Sequence, residues 1–207
     1  MRGDPLVNKE DIHGFVLAGG KSARMGQDKA LLRLGGKPLV LRATEILRPF
    51  VGEVTLVAPA GRYEDLGLAV IADQWPDQGP LAAVCTGLLS SHAEWNIFLA
   101  CDLPLLSRHF LQLLVQRVRA TRSDAVVPRT EDGWQPLCAA YHSPCQTAFA
   151  RALHEGGRSI IKVLQEIPVE VITSDEMVSA GVSEEELTNM NTPEDWARVA
   201  QISKGAR

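Results

Sequence analysis

The chain has 207 residues, 45% of them apolar, and a formal net charge of −4. This length fits one domain, and the apolar fraction is large enough to build a core. The negative charge argues against a general nucleic-acid binder, and no apolar run approaches the ~20 residues that a membrane span needs.

The first ten residues are mostly polar, so residues 1–10 are predicted to form a disordered lead and residues 11–207 a single domain. This start lacks the apolar centre of a secretory signal peptide. The four cysteines include no Cys-x-x-Cys pair, and most lie among apolar residues, which is typical of buried free thiols in a reducing compartment. We therefore expect a cytoplasmic protein that binds neither membranes nor nucleic acid.

Short apolar runs alternate with helical patterns along the chain. The predicted strands cover 12–17, 54–58, 68–72, 96–100, 124–127, 137–141 and 169–172. The predicted helices cover 38–50, 80–91, 107–120, 145–155 and 159–167, and a C-terminal helix starts at Pro193 after the N-cap Thr192. Near-continuous apolar strands spaced by helices indicate an α/β fold of three layers, Rossmann-like, with a mostly parallel central sheet.

The first predicted strand ends abruptly in Gly19 and Gly20, and the loop that follows carries Lys21, Arg24 and Lys29. Adjacent glycines leave no side chain between backbone amides and an anion, and the cations neutralise its charge. Five basic residues and one acid, Asp28, lie between Lys21 and Lys37. This pattern predicts a loop that binds the phosphates of a nucleoside triphosphate.

Two better-known phosphate loops are excluded by spacing. A Walker loop ending in Gly20-Lys21-Ser22 needs its first glycine at position 15, which is Phe15. The dinucleotide fingerprint Gly-x-Gly-x-x-Gly is absent, because Gly19 and Gly20 are adjacent and the next glycine is Gly26.

Gly19, Asp73 and Asp102 each follow a predicted strand. Ligands of parallel sheets bind beyond the carboxyl ends of the strands, so all three residues are expected to face one crevice. A carboxylate such as Asp102 is costly at the end of a buried strand unless it has a partner, and Mg²⁺ is a good one. The alternatives are that Asp102 caps the turn before the helix at Ser107 and that Lys29 is a surface lysine.

Several motifs in order along residues 12–200 resemble those of nucleotidyltransferases related to the molybdenum cofactor guanylyltransferase. The matching segments are Leu17-Ala18-Gly19-Gly20, Ser22, Arg24-Met25-Gly26, Asp28-Lys29, 35–39, Asp73, 79–82, 101–104 and 189–194. The resemblance implies the nucleotidyltransferase version of the predicted fold.

The resemblance also assigns roles to particular residues. It implies that Leu17, Ala18, Gly19 and Gly20 cradle the nucleotide, that Lys29 and Arg24 bind phosphates, and that Asp102 binds Mg²⁺. Asp73 is expected on the nucleoside side of the pocket. The expected acceptor-binding residues are Arg24, Arg158, Asn189 and Asn191, although turn and cap hydrogen bonds are an alternative role for the two asparagines. Ala58 stands where these enzymes often place an asparagine.

The implied reaction transfers GMP from GTP to the terminal phosphate of the molybdenum–pterin cofactor and releases pyrophosphate. Guanine is favoured because the motif reads Leu-Ala-Gly-Gly, whereas related cytidylyltransferases tend to carry Leu-Ala-Ala-Gly. The alternatives are a CTP-dependent molybdopterin cytidylyltransferase, a sugar-phosphate nucleotidyltransferase, and a non-catalytic nucleotide-binding partner in cofactor assembly. Protein partners that deliver or receive the cofactor are also expected.

Overall fold

The structure is a computed structural model that describes residues 7–19 and 28–205. Ten strands are assigned in this part of the chain: β1 Ile12–Leu17, β2 Arg33–Leu34, β3 Lys37–Pro38, β4 Glu53–Ala58, β5 Ala69–Ala72, β6 Trp95–Ala100, β7 Ala125–Thr130, β8 Gly133–Trp134, β9 Cys138–His142 and β10 Val169–Thr173. The α-helices are α1 Leu39–Leu47, α2 Pro80–Ser90, α3 Arg108–Ala120, α4 Cys145–His154, α5 Ile160–Leu164, α6 Ser174–Ser179 and α7 Pro193–Gly205.

The central sheet has the strand order β10-β7-β9-β6-β1-β4-β5, with β8 paired to β7. The β6, β1, β4 and β5 strands run parallel, and β9 is antiparallel to both of its neighbours. The predicted mostly parallel α/β sheet is therefore confirmed. Every residue of β1 and of β6 is buried, as expected for strands covered on both faces.

Alternate residues of each strand point to opposite faces, so the sheet divides the core in two. One half is packed against α1, α3 and α6, and the other against α2, α4 and α5. Val199 of α7 instead belongs to a small separate cluster with Leu34 of the β2–β3 hairpin and Leu39 at the start of α1. These layers are the predicted three-layer arrangement.

The helix ends follow local chemistry. Ser107 caps α3 by accepting a hydrogen bond from the Phe110 amide at 3.3 Å, and Thr192 accepts one from the Asp195 amide at 3.1 Å at the start of α7. The predicted helix 159–167 is shorter in the structure and ends at Leu164. Residues after it turn towards Pro168, whose carbonyl accepts from the Asp124 amide at 2.9 Å.

Part of the predicted lead is structured. Val7 packs on the core, and Lys9–Asp11 form a 3₁₀ turn that precedes β1. The boundary predicted at residue 11 therefore falls inside a structured segment. Within the described ranges, no helix has the length and apolar character needed to cross a bilayer.

Candidate active site

The carboxyl ends of β1, β4, β5 and β6 lie side by side at one edge of the sheet. Backbone pairing continues past the strands, since the Cys101 amide donates to the Leu17 carbonyl at 3.1 Å and the Ala18 amide donates to the Val57 carbonyl at 3.0 Å. Leu17 pairs with Ala100 in the β1–β6 register. Gly19 and Asp102 each lie two residues beyond this last strand pair, at the same edge of the sheet.

Lys29 and Asp102 meet at this edge although 73 residues separate their numbers. The Lys29 Nζ lies 3.8 Å from the Asp102 Oδ2, and both side chains are mostly covered. The same ammonium donates to the Met190 carbonyl at 2.8 Å and to the Asn191 Oδ1 at 2.9 Å. Lys29 is therefore held between the β6 end and the segment before α7, and it is not a free surface lysine.

Asp102 has a carboxylate that is only partly hydrated. Burial raises the pKa of Asp102 above its usual value, and Lys29 opposes that rise. Its backbone carbonyl accepts from the Met190 amide at 2.9 Å, which fixes the segment 189–191 against it. A nearby cation stabilises the charged form of a carboxylate that is partly removed from water.

The donor set at this edge fits Mg²⁺ bound together with a nucleotide. In the part of the chain that the structure describes, no group of three or more His, Cys, Asp or Glu side chains forms a ready-made metal cage. Mg²⁺ usually binds through one or two carboxylates and completes its shell with waters and phosphate oxygens. Asp102 is thus a suitable single protein ligand.

The predicted nucleotide cradle is only partly described. Leu17 and Ala18 are buried at the end of β1, whereas Gly19 is exposed. Gly19 does not have a left-handed backbone conformation, so the tight turn expected there is not made by its φ angle. Gly20 and Arg24, to which the sequence also assigns roles, lie outside the described residues.

Asp73 follows β5 at the same edge. Its Oδ1 accepts hydrogen bonds from the Trp75 amide at 3.0 Å and the Thr86 hydroxyl at 3.2 Å. Thr86 belongs to α2, whose first residue, Pro80, follows Gly79 at a φ of 84°. These bonds connect the β5 end to the helix that begins at the edge.

The expected acceptor residues Arg158 and Asn189 line one cavity of about 190 Å³. Leu103, next to Asp102, lines it as well, so this cavity lies beside the acid. Asn191 is not among its lining residues, because its side-chain oxygen accepts the hydrogen bond from Lys29. The alternative role considered for this asparagine, hydrogen bonding at a turn or cap, is present, since its backbone amide donates to Asp195 Oδ2 at 2.8 Å at the start of α7.

Trp134 also lines this cavity, although the sequence gave no reason to assign it a role. The residue follows Gly133 in the β7–β8 hairpin, where Gly133 has a φ of 111°. Arg129 lies 5.5 Å from the centroid of the indole ring. In the sequence, the only sign of a role for Trp134 was a large aromatic residue directly after a glycine.

Two members of the basic run do not serve the predicted phosphate pocket. Arg33 donates to the Gly36 carbonyl at 2.8 Å, inside the β2–β3 hairpin. Lys37 bonds both carboxylate oxygens of Glu45 on α1 at 2.7 Å. Arg33 therefore makes its contact inside the hairpin and Lys37 makes its contact with α1.

Fold and site together define an α/β protein that binds an anionic ligand beyond the carboxyl ends of parallel strands. The sequence pattern of the MobA-like NTP transferase domain matches residues 14–169, which is most of the chain. The chain therefore belongs to the MobA-like NTP transferase family.

Close relatives agree with this family. A probable molybdenum cofactor guanylyltransferase from Nostoc sp. is 36% identical over 192 residues, covering 90% of this chain and 89% of the relative. A protein of the same name from Synechococcus elongatus is 37% identical, covering 88% and 94%. The crystal structure of molybdopterin-guanine dinucleotide biosynthesis protein A from Archaeoglobus fulgidus superposes with a TM-score of 0.82 at 25% identity, covering 93% and 99%.

Proposed function

We propose that this chain transfers GMP from GTP to the terminal phosphate of the molybdenum–molybdopterin cofactor and releases pyrophosphate. The observation that carries the proposal is the approach of Lys29 to Asp102 at the carboxyl edge, 3.8 Å apart, in a member of this family. Relatives named as molybdenum cofactor guanylyltransferases support the choice of GTP and of the acceptor.

In this reaction an acceptor phosphate oxygen attacks the α-phosphorus of GTP, and the bond from that phosphorus to the bridging oxygen of the β-phosphate breaks. Pyrophosphate leaves with the electron pair of that bond. The attacking oxygen is already anionic near neutral pH, so no general base is needed. The protein contributes by orienting both phosphates and by neutralising their charge.

The residues divide this work by position. The backbone at Gly19, just beyond the paired residues Leu17 and Ala18, is assigned to the nucleotide, and Lys29 exchanges its contacts with Met190 and Asn191 for phosphate oxygens. Asp102 would hold Mg²⁺, which supplies positive charge to the triphosphate when bound. Asp73 and the start of α2 flank the nucleoside, and Arg24 is assigned to the phosphates on the resemblance alone.

The cavity beside Leu103 is assigned to the acceptor. Its walls combine apolar residues such as Trp134 and Leu137 with the polar groups of Arg158 and Asn189. A flat heterocycle with a phosphate tail needs this mixture of an apolar slot and a cation. Arg158 would receive the phosphate tail.

The test measures pyrophosphate release with Mg²⁺ and a molybdopterin acceptor, using GTP and CTP in parallel. We expect turnover with GTP and much slower turnover with CTP. Asp102→Asn keeps the side-chain size but removes the charge, and we expect it to lower kcat by about a hundredfold or more.

The matched control for this substitution is Asp124→Asn, a half-buried acid at the opposite edge of the sheet, directly before β7. This variant should turn over at the wild-type rate. Equal rates with both nucleotides, or a preference for CTP, would contradict the choice of guanine. Binding of GTP without any turnover would instead indicate a nucleotide-binding partner.

A cytoplasmic location and protein partners in cofactor delivery belong to the same proposal. They follow from the proposed acceptor, a cofactor intermediate that has to reach this chain and be passed on from it. Co-purification of the chain with cofactor-loaded proteins would test them.

A further inference from the structure

Asp28 lies at the start of the segment that carries Lys29, and its carboxylate is held from two sides. Oδ1 accepts from the Ala30 amide at 3.0 Å and so caps the 3₁₀ turn Lys29–Leu31. Oδ2 accepts from the Tyr63 hydroxyl at 2.7 Å and from the Arg62 guanidinium. A single carboxylate therefore joins the Lys29 turn to the loop after β4.

The partner loop is itself firmly placed. Tyr63 is 8% exposed and has a left-handed backbone with a φ of 65°, which is uncommon for a residue with a side chain. The Arg62 guanidinium lies 5.3 Å from the centroid of the Tyr63 ring. Burial, helped by the hydrogen bond to Asp28, raises the pKa of Tyr63 well above its usual value, so the hydroxyl keeps its proton and stays a donor.

The charge of Asp28 is balanced within this cluster. Arg62 pairs with the carboxylate directly, and the side chain of Arg62 is about half exposed. An acid next to a phosphate-binding lysine would otherwise repel the nucleotide. Because Arg62 neutralises Asp28, the positive charge of Lys29 is the one that remains for the nucleotide.

Lys29 needs an anchor because its side chain reaches a distant segment. Its ammonium contacts Met190 and Asn191, and it approaches Asp102. A backbone shift of the turn by 1 Å would change all of these distances together. We propose that Asp28, Arg62 and Tyr63 form a positioning cluster that fixes Lys29 for the triphosphate, an inference that rests on the function proposed above.

The test is a double-mutant cycle on GTP affinity, measured by calorimetry with Mg²⁺ present. Tyr63→Phe removes one hydrogen bond to a charged group and keeps the ring. We expect it to weaken GTP binding about tenfold when Lys29 is present. In a Lys29→Met background the same substitution should change the affinity by less than about twofold, because its effect passes through Lys29.

Arg62→Gln provides a second variant for the case that Tyr63→Phe fails to fold, and it should show the same dependence on Lys29. Its matched control is Arg151→Gln on α4, which replaces an arginine of similar exposure that pairs with Glu166, two residues after α5. The control should leave GTP affinity unchanged. An equal loss of affinity in both Lys29 backgrounds, or no loss with Lys29 present, would overturn the positioning role.

The same cycle in urea unfolding of the ligand-free protein separates this inference from the proposed function. If Tyr63 positions Lys29, the shift in midpoint caused by Tyr63→Phe should be clearly smaller in the Lys29→Met background. If the urea midpoints show this coupling but the protein does not bind GTP, the proposed function is rejected and the positioning role of the cluster still holds. If Tyr63→Phe shifts the urea midpoint equally in both Lys29 backgrounds, the positioning role is rejected, whether or not the protein binds GTP.

Discussion

Gly19 shows why a residue can matter for a ligand and not for the fold. A Cβ built on Gly19 would lie 3.6 Å from Cδ of Pro59, an ordinary contact, and the backbone there is not left-handed. Nothing in the described protein therefore requires a glycine at this position. In the proposed function, the requirement comes from a nucleotide that approaches this backbone closely.

We expect Gly19→Ala to weaken GTP binding by about tenfold or more, because its methyl group would stand between the backbone and the nucleotide. The free energy of unfolding should stay unchanged or rise slightly, because alanine lowers the conformational entropy of the unfolded chain. Calorimetry with GTP and urea unfolding measure the two effects.

The reciprocal control is Gly181→Ala. Gly181 lies after α6 with a φ of 74°, so alanine there should cost about 1 kcal/mol of stability and leave GTP affinity unchanged. Wild-type GTP affinity in Gly19→Ala would remove the backbone of residue 19 from the nucleotide site.

For single residues, the sequence indicated which residue types could act in the site but not which residues they contact. Asp102 and Lys29 were predicted from a strand end and a motif, and the structure places them together. Tyr63 and Trp134 carried no such signal, because their roles depend on which loop lies opposite them. Asp28 was visible as the single acid in a basic run and in the matching segment Asp28-Lys29, but neither signal gave it a role.

The α2 helix packs closely against the central sheet. Gly87 makes this contact possible: a Cβ there would lie 2.5 Å from the Phe98 ring and 3.2 Å from Phe15. Both rings are fully buried and stack with centroids 5.0 Å apart, so neither can move aside. A helix packed this tightly needs a residue without a side chain.

We expect Gly87→Ala to lower the free energy of unfolding by about 1–3 kcal/mol, because overpacking outweighs the gain in helix propensity. Urea unfolding measures the change.

Leu89→Ala on the same helix is the control, since Leu89 is 42% exposed and its truncation should cost much less. A stabilised Gly87→Ala variant would show that the core can relax around a methyl group.

Most of the long apolar elements were predicted within one or two residues, although β7 runs three residues past its predicted end and α1 stops three residues before it, and most of the short elements were not predicted. The α6 helix has six residues and no apolar period, and its start depends on the capping box of Thr173 and Glu176. The β2–β3 hairpin has two residues in each strand and turns at Gly35 and Gly36, both with positive φ. Such elements are set by local turns and by packing against α7, which periodicity does not reveal.

At the scale of the whole molecule, the titratable residue His13 lies at the edge of the sheet opposite the candidate active site. His13 lies near the amino end of β1, where its Nε2 is 2.8 Å from the Thr55 hydroxyl and its Nδ1 is 3.2 Å from Glu53. Burial lowers the pKa of His13 below its usual value of 6.5, and Glu53 partly opposes this. The neutral form is therefore favoured in the folded chain.

This shift predicts that stability falls as the pH drops. The unfolded chain takes up the proton first, so the contribution of His13 is present above about pH 6.5 and is lost as the pH falls through the lower folded pKa. We expect the urea midpoint of the wild type to fall between pH 8 and pH 5 by more than that of His13→Gln.

His92→Gln, which replaces an exposed histidine, should keep the wild-type pH dependence. If His13→Gln loses as much stability as the wild type over this range, other groups carry the pH dependence.

The sequence by itself determined the order of the long strands and helices and the acid at the end of β6, and it predicted a phosphate-binding loop after β1. These features depend on periodicity, on glycine and on burial of charge, all of which act over a few neighbouring residues. Only the tertiary structure decided that segment 189–191 closes on Lys29, that Arg158 and Trp134 share a cavity, and that Tyr63 holds Asp28. Each of those contacts joins residues far apart in the chain, and their pairing follows from the way the sheet order brings loops together.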